Sequence, residues 1–212
     1  MKIAIVGCTH AGTFAAQQIL TEHPDYDVTV YERNDNLSFL SCGIALWVGN
    51  HVSDPKKMFY SSPEALTELG ATMKMKHDVL DIDPDTKTLK VKNLATNEEF
   101  TDTYDKLVMT TGSSPVIPPI DGIDNERIKL CKNWNDAAEL NGLTTTLSRS
   151  GNWCRYIGAE LAEQYAITGR EVTLIDGLPN VLAKNFDPEI SDRVAKDYTD
   201  HGVKLAMNEM VQ

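Results

Sequence analysis

The chain has 212 residues, 42% of them hydrophobic and 24% charged, a composition ordinary for a globular protein and long enough for one large domain or one domain with part of another. A formal net charge of −11 argues against nucleic acid and anionic lipid as partners, but not against a dinucleotide, whose phosphates can sit at a helix N-terminus. No apolar run approaches the roughly 20 residues of a membrane span, and the Ile-Ala-Ile-Val run near the N-terminus is too short for a signal peptide, so a cytoplasmic protein with reduced thiols is expected.

Taken in order, Lys2 to Val6 reads as a strand, Gly7 to Gly12 as a glycine turn, the stretch to about Glu22 as a helix, and Asp27 to Glu32 as a second strand. This is the outline of a dinucleotide-binding βαβ unit. Gly43 to Trp47 offers a helix start directly after Cys42. Ser62-Pro63-Glu64 opens a short helix that Gly70 stops, through a Ser cap and a proline in the first turn. Strands follow at Thr72–Met75 and Val79–Ile82. Thr88–Leu94 and Glu99–Tyr104 form a hairpin around Ala95-Thr96-Asn97. Lys106 to Thr110 reads as a buried strand running into Thr111-Gly112-Ser113, and Pro115, Pro118 and Pro119 mark an irregular exit. Helix then strand returns over Glu160 to Ile175, with Gly169 at the turn. Asp187 to His201 has helical amphipathicity, and Val203 to Met207 makes a last strand. A second βαβ, near residues 149 to 176, echoes the first.

The first turn reads Gly7-x-Thr9-x-x-Gly12, a GxGxxG with Thr in the middle place. Gly7 permits a tight turn, Gly12 lets the helix approach the strand, and Thr9 is tolerable beside a pyrophosphate only if its side chain points away. Glu32 stands twenty residues past Gly12 at the end of a strand, the place of a ribose-binding carboxylate; a solvated strand end is the bland alternative. His10 lies in the first turn of the helix, where an acid/base role competes with a purely structural one. Of Cys8, Cys42, Cys131 and Cys154, none form a CxxC pair, and a small buried apolar side chain is the ordinary reading of each. Cys42 is the exception: the helix start behind it favours a thiolate, and without a resolving cysteine nearby in sequence it would cycle through a sulfenic acid.

Together, GCTHAGT at 7–13, YERNDN at 31–36, SFLSCGIAL at 38–46, FYSSPE at 59–64 and YDKLVMTTGSSP at 104–115 resemble the single-cysteine NADH oxidases and NADH peroxidases, within the FAD-dependent pyridine nucleotide-disulfide oxidoreductases. The resemblance is close from residue 1 to about 142 and rests on five motifs jointly. It implies an α/β, FAD/NAD(P)-binding Rossmann-like fold of the three-layer ββα type. An FAD-binding domain over 1–120 would be followed by a partial NAD-binding domain over 121–212. Residues Gly7, Cys8, Thr9, His10, Ala11 and Gly12 would cradle the FAD pyrophosphate, and Glu32 would hold its ribose. Val79 matches a backbone contact near the adenine. Ser41, Thr110, Thr111, Gly112, Ser113 and Lys132 match further flavin-side positions. His10 resembles the family's acid/base and Cys42 its redox sulfenate. The implied chemistry is hydride transfer from NADH to FAD and reduction of oxygen to water; no metal is implied. Peroxidase activity on hydrogen peroxide is the near alternative, since it shares His10 and Cys42. A coenzyme A-disulfide reductase would share the cysteine but should lack His10.

The second glycine motif departs from the family. Tyr156-Ile157-Gly158-Ala159-Glu160-Leu161 is in place, and Asp176 stands eighteen residues after Gly158, where a carboxylate would hold the NADH ribose; Ile157 and Gly158 would line that site. Before them, Arg149-Ser150-Gly151-Asn152-Trp153-Cys154-Arg155 occupies the place of a sequence such as Val-Val-Val-Ile-Gly-Ala-Gly. Codons for the observed seven residues can be chosen that, read one base later, spell those apolar ones. Two compensating frameshifts between about Leu143 and Tyr156 are therefore expected, and a nucleotide sequence with no such out-of-frame message would refute them. A central parallel strand wants a continuous apolar run, and Arg149 and Asn152 would cost several kcal/mol, as an order of magnitude, if buried unpaired. By resemblance, the family continues past Gln212 with a further flavin-contacting segment and a dimerisation domain, so full-length members should be homo-oligomers. The chain as written is expected to turn over no NADH. A non-enzyme, a degenerate flavoprotein fragment, is the alternative from a different class.

Overall fold

In the strand Lys2–Val6 (β1), side chains alternate between two faces, and this decides what each face is covered by. A computed structural model describes residues 1–143, 148–150 and 156–210, with the backbone alone for 148–150. Two units emerge: residues 1–40 with 56–114, and residues 41–55 with 115–212.

In the first unit, β1 pairs in parallel with Asp27–Glu32 (β2) and with Lys106–Met109 (β7), and β2 pairs with Thr72–Met75 (β3), giving the order β3-β2-β1-β7. Ile3, Ile5, Val28 and Val30 pack with Ala16 and Leu20 of the helix Ala11–Glu22 (α1) and with Leu66 of Pro63–Glu68 (α3). Ala4 and Tyr31, one residue out of phase, pack with Leu89, Val91 and Tyr104. Leu89 and Val91 come from an antiparallel sheet of His77–Asp83 (β4), Thr88–Asn93 (β5) and Glu99–Thr103 (β6). The result is three layers: helices, a parallel sheet, and an antiparallel sheet. Asp102 of β6 ties two layers together, accepting hydrogen bonds from Lys2 of β1 and the Tyr31 hydroxyl of β2.

The strand expected to be buried at Lys106–Thr110 is instead an edge. Leu107 and Val108 are half-buried and Lys106 and Met109 exposed, because β7 is the last strand of its sheet among the described residues. The α3 start is as read: Ser62 caps Ala65 N at 3.2 Å with Pro63 in the first turn.

The second unit carries a short helix, Ile44–Val48 (α2), after a single 3-10 turn at Ser41–Gly43. An unexpected helix, Trp134–Gly142 (α4), begins at a capping box in which Asn133 accepts from Asp136 N and Asp136 accepts from Asn133 N. Its parallel sheet has the order β10-β9-β8, from Lys204–Met207 (β10), Val172–Asp176 (β9) and Ser148–Ser150 (β8). The helix Tyr156–Ile167 (α5) lies between β8 and β9 in sequence, and Pro188–Asp200 (α6) precedes β10. The Tyr198 hydroxyl donates to Ala159 O at 3.0 Å, fastening α6 to α5, and the Tyr165 hydroxyl donates to Leu140 O at 3.1 Å, fastening α5 to α4. Trp47 of α2 and Trp134 of α4 stack at 5.1 Å with planes 6° apart. Among the described residues, no helix is long and apolar enough to cross a membrane.

Candidate functional site

The glycine turn owes its shape to two close approaches. Gly7 has φ +90°, a left-handed value that suits glycine, and a Cβ there would sit 2.9 Å from the Thr110 carbonyl carbon. A Cβ on Gly12 would press into the Gly7 carbonyl oxygen and lie 2.8 Å from Thr110 Oγ1. Thr110 fixes this crossing by donating from Oγ1 toward the carbonyls of Val6 (3.0 Å) and Gly7 (2.7 Å). Thr110 therefore braces the turn through its side-chain hydroxyl. Beyond it, Thr111, Gly112 and Ser113 are exposed, with Gly112 at φ +67°.

Helix α1 starts at His10 with no side-chain cap and no acidic residue in its first turn. The leading N–H groups of a twelve-residue helix are thus left for an anion, with the positive end of the dipole behind them. Thr9 and Ala11 are exposed, so neither closes the turn. Thr13, which sequence reading passed over, is buried and donates to Thr9 O at 2.6 Å and toward Cys8 O at 3.1 Å, bracing the turn from inside. Cys8 is wholly buried, and its burial pushes the thiol up to about 11, with Thr13 opposing and Glu32 adding to the rise. It is a packing residue whose contribution to the turn is its N–H.

Glu32 is buried, not a solvated strand end. Its Oε2 accepts from Cys8 N at 2.7 Å, and its Oε1 accepts from Asn34 N at 2.8 Å and Asn34 Nδ2 at 2.6 Å. Oε2, with one partner, keeps a lone pair that could accept from a diol. Val79 sits in β4 opposite Val91, where a bulge shifts the register before Asp81, and it packs on the Ala4–Tyr31 cluster. The turn, the uncapped helix and Glu32 form a receptor suited to a diphosphate joined to a ribose.

His10 is exposed, and its Nδ1 lies 3.0 Å from the Tyr60 hydroxyl, with the two rings stacked at 5.7 Å. Phe14, one turn along α1, also stacks on Tyr60 at 5.5 Å. Tyr60 lies in the FYSSPE motif but fifty residues from His10, so no local signal could pair them.

In the second unit, one cavity of about 260 Å³ is lined by Ser41, Cys42, Cys131, Lys132, Ile157 and Glu160, among others. It gathers four residues expected at the site, and adds Cys131 and Glu160. Cys42 is exposed and stands in the 3-10 turn before a helix of only five residues, so no long helix dipole backs the thiol. Burial pushes the Cys131 thiol up to about 11, with Asp136 and Glu160 adding to it. Lys132 donates its backbone N–H to Asp136 at 2.8 Å, which sets the loop at the head of α4. Gly158 lies within α5, and Asp176, buried at the end of β9, accepts from Leu178 N at 3.0 Å. Gly151 to Arg155, where the second glycine turn is replaced, lie outside the described residues, as do the side chains of Arg149 and Ser150. No cluster of metal-ligating side chains occurs among the described residues.

A sequence-family profile described as pyridine nucleotide-disulphide oxidoreductase matches residues 1–212. A protein of Enterococcus faecalis named NADH oxidase is 52% identical across the whole chain, which covers 48% of that relative. One of Streptococcus pyogenes with the same name is 37% identical, again across the whole chain and covering 49% of the relative. The solved water-forming NADH oxidase of Lactobacillus brevis, bound to NADH, superimposes with a TM-score of 0.93 at 55% identity, covering 99% of this chain and 47% of that one. The chain spans about half the length of the curated relatives it matches.

Proposed function

The chain belongs to the pyridine nucleotide-disulphide oxidoreductase family, and from that premise we propose that it carries the flavin-binding part of an FAD-dependent NADH oxidase that reduces oxygen to water. The observation that carries the flavin assignment is the receptor around Gly7, Gly12 and Glu32. Uncapped N–H groups of α1 would meet the FAD pyrophosphate, the free lone pair of Glu32 Oε2 would accept from its ribose, and Gly7 and Gly12 would keep side chains out of its path. Bound there, FAD supplies an acceptor for the hydride of NADH. The oxidase assignment rests on the relatives that share that name.

The chain's own groups would handle protons and the oxygen atom. Cys42, as thiolate, would take one oxygen from the hydrogen peroxide formed when oxygen accepts the electron pair of a first NADH, giving a sulfenate and water; the electron pair of a second NADH, with two protons, would return it to thiolate and release a second water. His10 would supply and recover protons at its ring. The same reading takes a reducing cytoplasm as the setting and a homo-oligomer as the working form, by resemblance alone.

The test is in two parts. The purified chain, equilibrated with FAD and freed of excess, is expected to keep flavin absorbance; a chain that retains none overturns the flavin assignment. In a full-length form with the second glycine motif restored, NADH-driven turnover that forms water consumes twice as much NADH as oxygen, whereas release of hydrogen peroxide consumes equal amounts. Cys42→Ser is expected to move the ratio from the first value to the second, and an unchanged ratio would remove Cys42 from the chemistry.

A further inference from the structure

The hydroxyl of Tyr60 meets two atoms at hydrogen-bond distance, His10 Nδ1 at 3.0 Å and the Thr9 carbonyl oxygen at 3.1 Å. It has one proton to give. The carbonyl can only accept. If the proton went to Nδ1, the Tyr60 oxygen and the Thr9 carbonyl oxygen would face each other at 3.1 Å with nothing between them, a repulsive contact between acceptors. If the proton goes to Thr9 O, the Tyr60 oxygen is free to accept, and Nδ1–H supplies the bond. Every polar contact is then satisfied, in a relay running from Nδ1–H to the Tyr60 hydroxyl to Thr9 O, each bond polarising the next.

The surroundings hold the two partners in that arrangement. The His10 and Tyr60 planes lie 7° apart, and Phe14 stacks on Tyr60 with planes 18° apart. His10 and Phe14 are four residues apart and so share one face of the helix. Thr9 O, the end of the relay, is fixed in turn by Thr13 Oγ1 at 2.6 Å. The relay is thus anchored in the glycine turn itself.

We propose that Tyr60 is a positioning residue that fixes His10 as the Nδ1–H tautomer and so makes Nε2 the ring atom that accepts and returns the catalytic proton. In the neutral ring Nε2 carries the lone pair. When it takes a proton, Nδ1–H keeps its bond to Tyr60, so the ring need not turn between the two states and the proton leaves from the atom where it arrived. The catalytic half of this inference rests on His10 being the proton-transfer group of the proposed oxidase. The tautomer half does not.

The experiment reads the tautomer directly, by nitrogen-15 NMR of ring-labelled histidine in the intact chain, with flavin absent and at a pH where His10 is neutral; the His10 signals are those lost in His10→Gln. The wild-type chain is expected to show Nδ1 protonated and Nε2 with the shift of a bare lone pair. In Tyr60→Phe, which keeps the stacked ring and removes the hydroxyl, the ratio of Nδ1–H to Nε2–H forms should fall about fivefold, the worth of one ordinary hydrogen bond. An Nε2–H tautomer in the wild-type chain overturns the proposal whether or not the variant folds, and so does an unchanged ratio in a folded Tyr60→Phe. Because the readout needs neither cofactor nor turnover, a chain with the expected tautomer but no flavin would sink the proposed function and leave this inference standing.

Discussion

The two βαβ units of this chain can be compared at the carboxylates that end their second strands, Glu32 and Asp176. Around β1, α1 and β2, the terminal carboxylate of Glu32 reaches back to Cys8 N in the turn and forward to Asn34 N, so the strand end, the turn and the following loop are bound into one piece. Around β8, α5 and β9, the matching Asp176 holds Leu178 N, two residues ahead. The first carboxylate braces a turn; the second, among the described residues, holds the loop that follows its own strand. The lesson is that an acid placed to meet a ribose can be a structural keystone with no ligand present.

The largest expected effect sets backbone crowding against side-chain crowding. Gly12→Ala drives a methyl into the Gly7 carbonyl, which cannot rotate away, whereas at Gly49 the new methyl meets the end of the Gln164 carboxamide, which can. Even after a helix-propensity gain of roughly 1 kcal/mol, Gly12→Ala should lose about 3 kcal/mol in urea unfolding, and Gly49→Ala about 1 kcal/mol. Equal losses would mean that the tight crossing at Thr110 is not what fixes the turn.

Next comes the comparison of the acids themselves. Glu32→Ala strands two backbone donors near the core and should cost about 2–4 kcal/mol without cofactor, and Asp176→Ala, stranding one among the described residues, about 1–2 kcal/mol. If Glu32→Ala changed FAD affinity alone, with the apo chain unaltered in stability, its keystone role would be wrong.

The smallest effect is read against pH. Burial pushes the Asp102 carboxyl up, but Lys2, the Tyr31 hydroxyl and Thr103 N–H outweigh it and hold it below the usual carboxylate value. A group depressed in the folded state stabilises above its unfolded pKa and loses that contribution as pH falls through the folded one. The first unit should therefore lose stability on acidification below the ordinary Asp range, and Asp102→Asn should flatten that limb. A limb equally steep in the variant would assign the acid sensitivity elsewhere.

Much of the first unit was legible because its physics is local. The alternation of Ile3, Ala4 and Ile5, the glycine pair and the Ser62-Pro63 start each announce themselves within a few residues. The α4 helix went unread because its face is mostly polar, although Asn133 and Asp136 carry the spacing of a capping box. Cys42 stands out from its apolar context, but its cavity neighbours Cys131 and Glu160 lie far from it in sequence, and only folding brings them together. Tyr60 shows the same limit: its meaning lies in a hydrogen bond to His10 that no window of sequence contains.

The stacked pair of Trp47 and Trp134 has an optical consequence. All three tryptophans of the chain, these two and Trp153, fall in residues 41–55 and 115–212, and none in the unit that carries the glycine turn. Indole emission is therefore a private signal of one unit. Two indoles held in one stacked arrangement at 5.1 Å should give a near-ultraviolet circular-dichroism band that vanishes when α2 and α4 part. Melting followed by that band and melting followed by tyrosine absorbance need not coincide, and the gap between them would measure how independently the two halves hold together.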